Sequence, residues 1–442
     1  MPIISNFKKL AKNSLREKAL LIAEAGYEAI EINRAVNSKV KAVSAEKEEF
    51  LIINTHSGEE KINLKGFKRI FIVGIGKGSA LASAALAKIL GERLNKCIAL
   101  DINKPSLNSK FLILNSEFFT GSHPLPSEKN IQATREIIKL AKNLNKNDLL
   151  INFICGGGSA LLCGSEKEME YSKSVFKYLT KAGADILELN IVRKHLSEIK
   201  GGGLAKLAYP ANVISLIVSD VLGNDLSIIA SGPTVYDKTT NKNAEKILKK
   251  YGLEPKKFHF HENPKQKKYF KKVKNILFIC NNDAIMGMAE KSKKLEMNAD
   301  IYSLSLKGEA KESLWPMIEM IKSRQAVLAA GETTVVLKNM PTSKGGRNME
   351  AVLGAISKIQ DSGFKIQDFA VLSFASDGHD NTEAAGAIAD YLTLEKAKKL
   401  NLNPIEFLNG NKSFSFFEKI GDLIFAEKKC FNVADLMLIL KK

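Results

Sequence analysis

At least five times in this chain a short, nearly unbroken apolar run stops at a cluster of glycine, serine, asparagine, aspartate or lysine, and a helical pattern follows. RIFIVGI (residues 69–75) runs into GKGSALASAAL, LLINFI (149–154) into CGGGSALL, VISLIV (213–218) into Ser219-Asp220, ILFIC (276–280) into Asn281-Asn282-Asp283, and FAVLSF (369–374) into ASDGHDN. Runs without polar alternation are buried on both faces, which is the signature of strands covered by helices on either side. Strands alternating with helices predict parallel-rich sheets in α/β/α layers, in both halves of the chain. A polar, lysine-rich stretch over 238–274 sets the expected boundary, with one domain over 1–272 and a second over 273–442. Ligands of such sheets collect beyond the carboxyl ends of the strands. The fold class is therefore α/β: two three-layer domains, the first Rossmann-like, with their strand-end loops expected to line an interdomain cleft.

The stretch 190–237 carries the densest chemistry. Arg193, Lys194, His195, Ser197 and Lys200 precede Gly201-Gly202-Gly203, and glycines permit turns in which N–H groups converge on an anion while cations supply charge. Arginine is scarce, eight against fifty-eight lysines, so Arg193 marks a place that wants a planar fork. Asp220 stands at a strand's carboxyl end, where a magnesium ligand or a general base belongs. A plainer reading fits the same residues, since three glycines make a loop and Ser-Asp after a strand caps a helix.

Three other glycine clusters have the same look. Gly74, Gly76 and Gly78 frame Lys77, but Ser79 stands where a dinucleotide fingerprint needs its third glycine and Phe71 where a Walker loop needs its first. A lysine on a glycine turn at a helix start still suits a phosphate. Gly156-Gly157-Gly158-Ser159 forms a second nest of the phosphate type. Gly345-Gly346 precede Arg347 at a helix start, and Asp377, Asp380 and Thr382 follow the run 369–374. His123 lies in GSHPLP, a loop stiffened by Pro124 and Pro126, and is read as a loop histidine with no assigned chemistry.

With 442 residues, 45% of them hydrophobic, the chain can bury two or three cores. No window approaches about eighteen apolar residues, and the amino terminus is an amphipathic helical pattern, so no membrane partner and a cytoplasmic location are expected. Five cysteines, Cys97, Cys155, Cys163, Cys280 and Cys430, contain no CxxC pair and are odd in number, against both a zinc site and a disulfide framework. The net charge of +18 raises nucleic acid as a partner, yet the lysines are dispersed and lack interleaved aromatics. Anionic small substrates are the more economical use of that charge.

Taken together, GIGKGSA, GSHPLP, ICGGGSALL, VRKHLSEIKGGGLA, SLIVSDVLGND, ASGPTVYD, GETTVVL, GGRNMEAVL and SDGHDNTEAAGAIAD resemble the glycerate 2-kinase family, whose carboxyl-terminal part is the MOFRL domain. The motifs stand in the family's order over about residues 69–390. The resemblance implies transfer of a phosphoryl group from ATP, with Mg2+, to the 2-hydroxyl of D-glycerate, with small molecules as partners and a homodimer allowed. It places the family's active-site lysine on Lys77, its arginine on Arg347 and the aspartate of its SDV motif on Asp220, the last also as metal ligand. Arg193, Lys194 and Ser197 are then expected to hold glycerate. Gly76, Gly156, Gly157, Gly158, Ser159 and Asp377 are expected to hold phosphates of the nucleotide. Two alternatives are a hydroxypyruvate reductase, which the failed dinucleotide spacing disfavours, and a non-catalytic binder of phosphometabolites. The sequence departs from the family at Asn224, where a second acid is usual, at Asn381, where glycine is usual, and over 426–432, where AEKKCFN replaces a segment of the TGPTGTN type.

Overall fold

In the computed structural model, which describes residues 2–45, 48–104, 115–337, 344–362 and 366–442, the chain divides into two units, 32–278 and 1–31 with 279–442. The first opens with helix Ile32–Lys39 and an antiparallel meander of β1 (Val40–Ala45), β2 (Glu48–Thr55) and β3 (Gly58–Asn63). Its main sheet comprises β4 (Arg69–Ile75), β5 (Leu94–Asp101), β6 (Ser116–Thr120), β7 (Asp148–Ile154), β8 (Asn212–Val218) and β9 (Val273–Ile279), in the order β6-β5-β4-β7-β8-β9. β4 runs parallel to β5 and β7, β5 to β6, and β7 to β8.

The apolar runs earn their burial on two faces. Phe71, Val73, Ile75, Ile98, Leu100, Leu150 and Val213 pack beneath helices Glu128–Lys142 and Gly203–Ala208. Helix Ser79–Leu90 packs against β4 and β5. From β4 the chain builds outward through β5 and β6, then returns to β7 and builds the other way. The order therefore reverses between β4 and β7, the topological switch point at which open α/β sheets leave a crevice. The loops after these two strands carry Lys77 and the glycines 156–158.

The second unit contains β10 (Asn298–Leu306), β11 (Gln325–Gly331), β12 (Phe369–Ala375), β13 (Gly386–Ala389), β14 (Leu423–Ile424) and β15 (Asp435–Lys441), ordered β10-β11-β15-β12-β13-β14. Val327, Ala329, Phe369, Val371, Met437 and Ile439 face helices Arg347–Ser362 and Ser413–Ile420. Helices Ser14–Ile30 and Asn281–Lys294 pack on the same sheet from β10, β11, β12 and β15. This is again an α/β/α arrangement. Among the described residues no helix is long and apolar enough to cross a membrane.

Three expectations change. The second sheet is not parallel-rich: among the described strands only β10 and β11 pair in parallel, because β15 enters between β11 and β12 and is antiparallel to both. The expected boundary at 272 and 273 moves, since β9 completes the first sheet and the second unit resumes at Ile279. The opening helix belongs with the carboxyl-terminal unit, tied there by Arg16 to Asp390 and Asp422 at 2.7 Å each and by the Tyr27 hydroxyl donating to the Ala375 carbonyl at 2.9 Å. The departing segment 426–432 docks on this helix: the Phe431 N–H donates to the Ile30 carbonyl at 3.0 Å and its ring is fully buried. All five cysteines are buried and none is in a disulfide.

Candidate functional site

Lys77, Asp220 and the glycines 156–158 come together at the switch point. The loop after β4 is stitched to the loop after β7, Lys77 N–H donating to the Gly156 carbonyl at 2.9 Å and Cys155 N–H to the Ile75 carbonyl at 2.8 Å. Gly156 is required by its neighbour: a Cβ there would stand 1.9 Å from Asp220 Oδ2. Gly157 has φ 78°, the left-handed region that suits glycine, and a Cβ on it would meet Lys77 Cγ and His123 Cδ2, each at 3.3 Å. The amides of Gly157 and Ser159 make no hydrogen bond among the described residues. Behind them Ala230 (φ 50°) and Ser231 (φ 60°) hold left-handed conformations that other residues seldom adopt. Ser231 Oγ donates to Asn190 Oδ1 at 2.6 Å and lies 2.9 Å from Ser159 Oγ. Strain of this kind persists where surrounding contacts fix it, and it gathers at functional loops.

The electrostatics are one-sided. Arg193 stacks over Phe176 at 5.0 Å and has no carboxylate partner among the described residues; burial pulls its guanidinium down to about 10. Lys77 has no ion pair either among those residues. His123 is exposed at the loop surface, yet local desolvation and the charges of Lys77 and Arg193 push it down to about 4, so it is neutral at pH 7. A desolvated cation without a counter-ion costs free energy, so Arg193→Leu is expected to leave the unfolding free energy unchanged or raise it by about 1–2 kcal/mol. The same substitution is expected to weaken binding of an anionic substrate by about tenfold or more. Urea unfolding and substrate titration on one preparation check both signs.

The remaining sequence expectations divide. Lys194 does not face the site: it is buried and pairs with Asp237 at 3.3 Å. Ser197 is buried as well, its hydroxyl accepting the Ile199 N–H at 3.4 Å. Helical geometry separates neighbouring residues by about 100°, which is why Arg193 opens outward while Lys194 turns inward. The Gly76 N–H is spent on the Leu100 carbonyl at 3.1 Å. The start of helix Ser79–Leu90 is filled by Asp101, whose carboxylate accepts the Ala80 N–H at 3.0 Å. Lys77 thus contributes its ammonium, not the turn's amides. Asn190, Ser231 and Asp101 were not anticipated; the only local signal for them is the ASGP turn and an aspartate closing β5.

Arg347 and Asp377 lie in the other unit. Arg347 is bound by Asp435 and by Glu332, the latter at 2.7 Å, and these carboxylates raise its pKa further. Helix Arg347–Ser362 begins, as Ser79–Leu90 does, on a buried aspartate: Asp380 Oδ2 accepts the N–H groups of Asn348 and Met349 at 3.0 and 3.1 Å. Asp377 accepts the His379 N–H at 3.1 Å. Burial, with help from the charge of Asp435, pushes Asp380 up to about 7. Between about pH 4 and pH 7 the folded chain keeps a proton here that the unfolded chain has lost, so this carboxyl subtracts stability as pH rises through that window. Asp380→Asn is expected to be more stable than the parent above pH 7 by about 1–3 kcal/mol, an advantage shrinking toward zero near pH 4. Denaturant melts across that range measure it.

Two family models match the chain: DUF4147, a domain of unknown function, over residues 18–261, and the MOFRL family over 325–435. The D-glycerate 2-kinase of Thermotoga maritima is 33% identical over 397 residues, covering 86% of this chain and 91% of that one. The glycerate 2-kinase of Pyrococcus horikoshii is 30% identical over 448 residues, covering 96% and 97%. The crystal structure of a glycerate kinase from Thermotoga maritima superposes with a TM-score of 0.82 at 30% identity, over 97% of this chain and all of the other.

Proposed function

The chain belongs to the glycerate 2-kinase family, and on that premise we propose that it transfers the terminal phosphoryl group of ATP to the 2-hydroxyl of D-glycerate. The observation that carries this reading is the pair of cations, Lys77 and Arg193, which have no carboxylate partner among the described residues, beside the amides of Gly157 and Ser159, which have no acceptor among them. Both reactants are anions, and either would complete the charge that the fold leaves unbalanced. Phosphoryl transfer asks the protein chiefly for positioning and charge neutralisation.

Lys77 would contact the transferring phosphoryl, and the fork of Arg193 suits a carboxylate. The loop 156–159 offers its free amides to nucleotide phosphates. Asp220, whose carboxylate lies against Gly156, would accept the hydroxyl proton as general base. It also fits magnesium, which binds one or two protein carboxylates together with substrate phosphates; a bound ion supplies neutralisation of phosphate charge. Arg347 would take a phosphate only by giving up Glu332, the exposed one of its two partners.

Incubation with ATP, magnesium and D-glycerate, followed by phosphorus NMR, is expected to show 2-phosphoglycerate and ADP in equal amounts. A 3-phosphoglycerate signal, or ATP consumption independent of glycerate, would overturn the reading. Hydroxypyruvate with a reduced nicotinamide is expected to give no change in absorbance, in keeping with the missing fingerprint glycine at Ser79.

A further inference from the structure

We propose that His123 is a ligand of the acid substrate, donating a hydrogen bond from a neutral imidazole to the carboxylate that Arg193 also grips. The inference rests on the kinase reading and names a residue to which that reading gives no task. Its first support is position. A Cβ on Gly157 would lie 3.4 Å from His123 Nε2 and 3.3 Å from Lys77 Cγ, so the nitrogen-bearing edge of the ring borders the glycine loop alongside the lysine.

The second support is the fixing of the loop that carries it. Gly121 N–H donates to the Asp101 carbonyl at 2.8 Å, and Ser122 N–H donates to the buried side chain of Asn130 at 2.8 Å. The Asn130 amide in turn donates to the carbonyls of Ser122 and Leu161, both at 3.1 Å. One buried asparagine therefore ties the 121–126 loop to the segment that follows the glycines 156–158. His123 is held against that segment while the ring keeps a face open to solvent, as a group meeting an incoming ligand must.

The third support is charge. Lys77 and Arg193 both act on the ring, and neither has a carboxylate partner among the described residues. A neutral histidine adds a donor without adding a third positive charge, which would hold the more highly charged phosphorylated product too firmly.

The experiment has a binding arm and a kinetic arm. In the protein with labelled histidine, the ring signals of His123, assigned by their absence from His123→Gln, are expected to shift when D-glycerate is added without ATP. In His123→Ala, KM for D-glycerate is expected to rise about tenfold to a hundredfold, the range for a hydrogen bond to a charged group. KM for ATP and the unfolding midpoint are expected to stay put, and His123→Gln, which keeps a neutral donor, to recover part of the loss. Absence of a ring shift, an unchanged KM for D-glycerate, or a parallel rise in both KM values would overturn the assignment. If the parent protein fails to phosphorylate D-glycerate at all, the kinase reading falls, and the ring titration alone judges His123.

Discussion

Lys77→Ala is expected to lower kcat by about a thousandfold, equivalent to about 4 kcal/mol of transition-state stabilisation, while leaving the unfolding midpoint where it was. The contrast follows from what the side chain touches. Its backbone N–H, which the substitution retains, stitches the two glycine loops together, whereas its ammonium has no ion pair among the described residues. Nothing in the fold depends on the charge, so losing it is felt only when phosphate charge must be met. Single-turnover rates with a coupled assay, beside a thermal melt, separate the two effects. A fall in stability that tracked the fall in rate would instead make Lys77 a structural residue.

Arg16→Met is expected to reduce the unfolding free energy by about 3–5 kcal/mol, the usual cost of breaking a buried ion pair from one side. The guanidinium is completely buried and meets two carboxylates, Asp390 at 2.7 Å and Asp422 at 2.9 and 2.7 Å. Both aspartates are themselves inaccessible, and Thr393 closes the network by accepting from Arg16 at 2.7 Å and donating to Asp422 at 2.7 Å. Burial acts to raise Asp422, and Arg16 overrides it, so that this carboxyl titrates below its ordinary value. Stability from the pair is thus present above the ordinary aspartate range and lost as pH falls through the depressed pKa. Urea unfolding at pH 7 measures the loss directly. A change within about 0.5 kcal/mol, the range typical of surface substitutions, would mean that the opening helix is not anchored as described.

Much of the first unit could be read from the sequence because its signals are local. An apolar run followed by glycines marks a strand end, and strand ends in a parallel sheet share one edge, so Lys77, Asp220 and the loop 156–159 fall together without knowledge of strand order. The second unit was less legible for a matching reason. A strand buried on both faces reads as the same apolar run whether its neighbours are parallel or antiparallel, and DLMLILK gives no hint that it slots between β11 and β12. The docking of residues 1–31 depends on partners roughly four hundred positions away, as the Arg16 to Asp422 contact shows.

The glycine clusters teach a finer lesson. Three of them look alike as anion cradles, yet the helix starts after Gly78 and Gly346 are already occupied by Asp101 and Asp380, carboxylates that the sequence places far from the glycines they serve. In the loop 156–159 the amides of Gly157 and Ser159 keep no partner among the described residues. The cluster at 193–200 misled in a similar way, because Lys194 and Lys200 find buried acids in Asp237 and Glu168 and leave Arg193 as the outward cation.

A crystal structure of the protein with D-glycerate tests the central claim most directly, that the unbalanced charge around Gly157 is the substrate site. The expected result is ligand density between Arg193 and Lys77, its carboxylate within hydrogen-bonding reach of the Arg193 guanidinium. Density at another place, with that pocket holding only water at saturating glycerate, would contradict it.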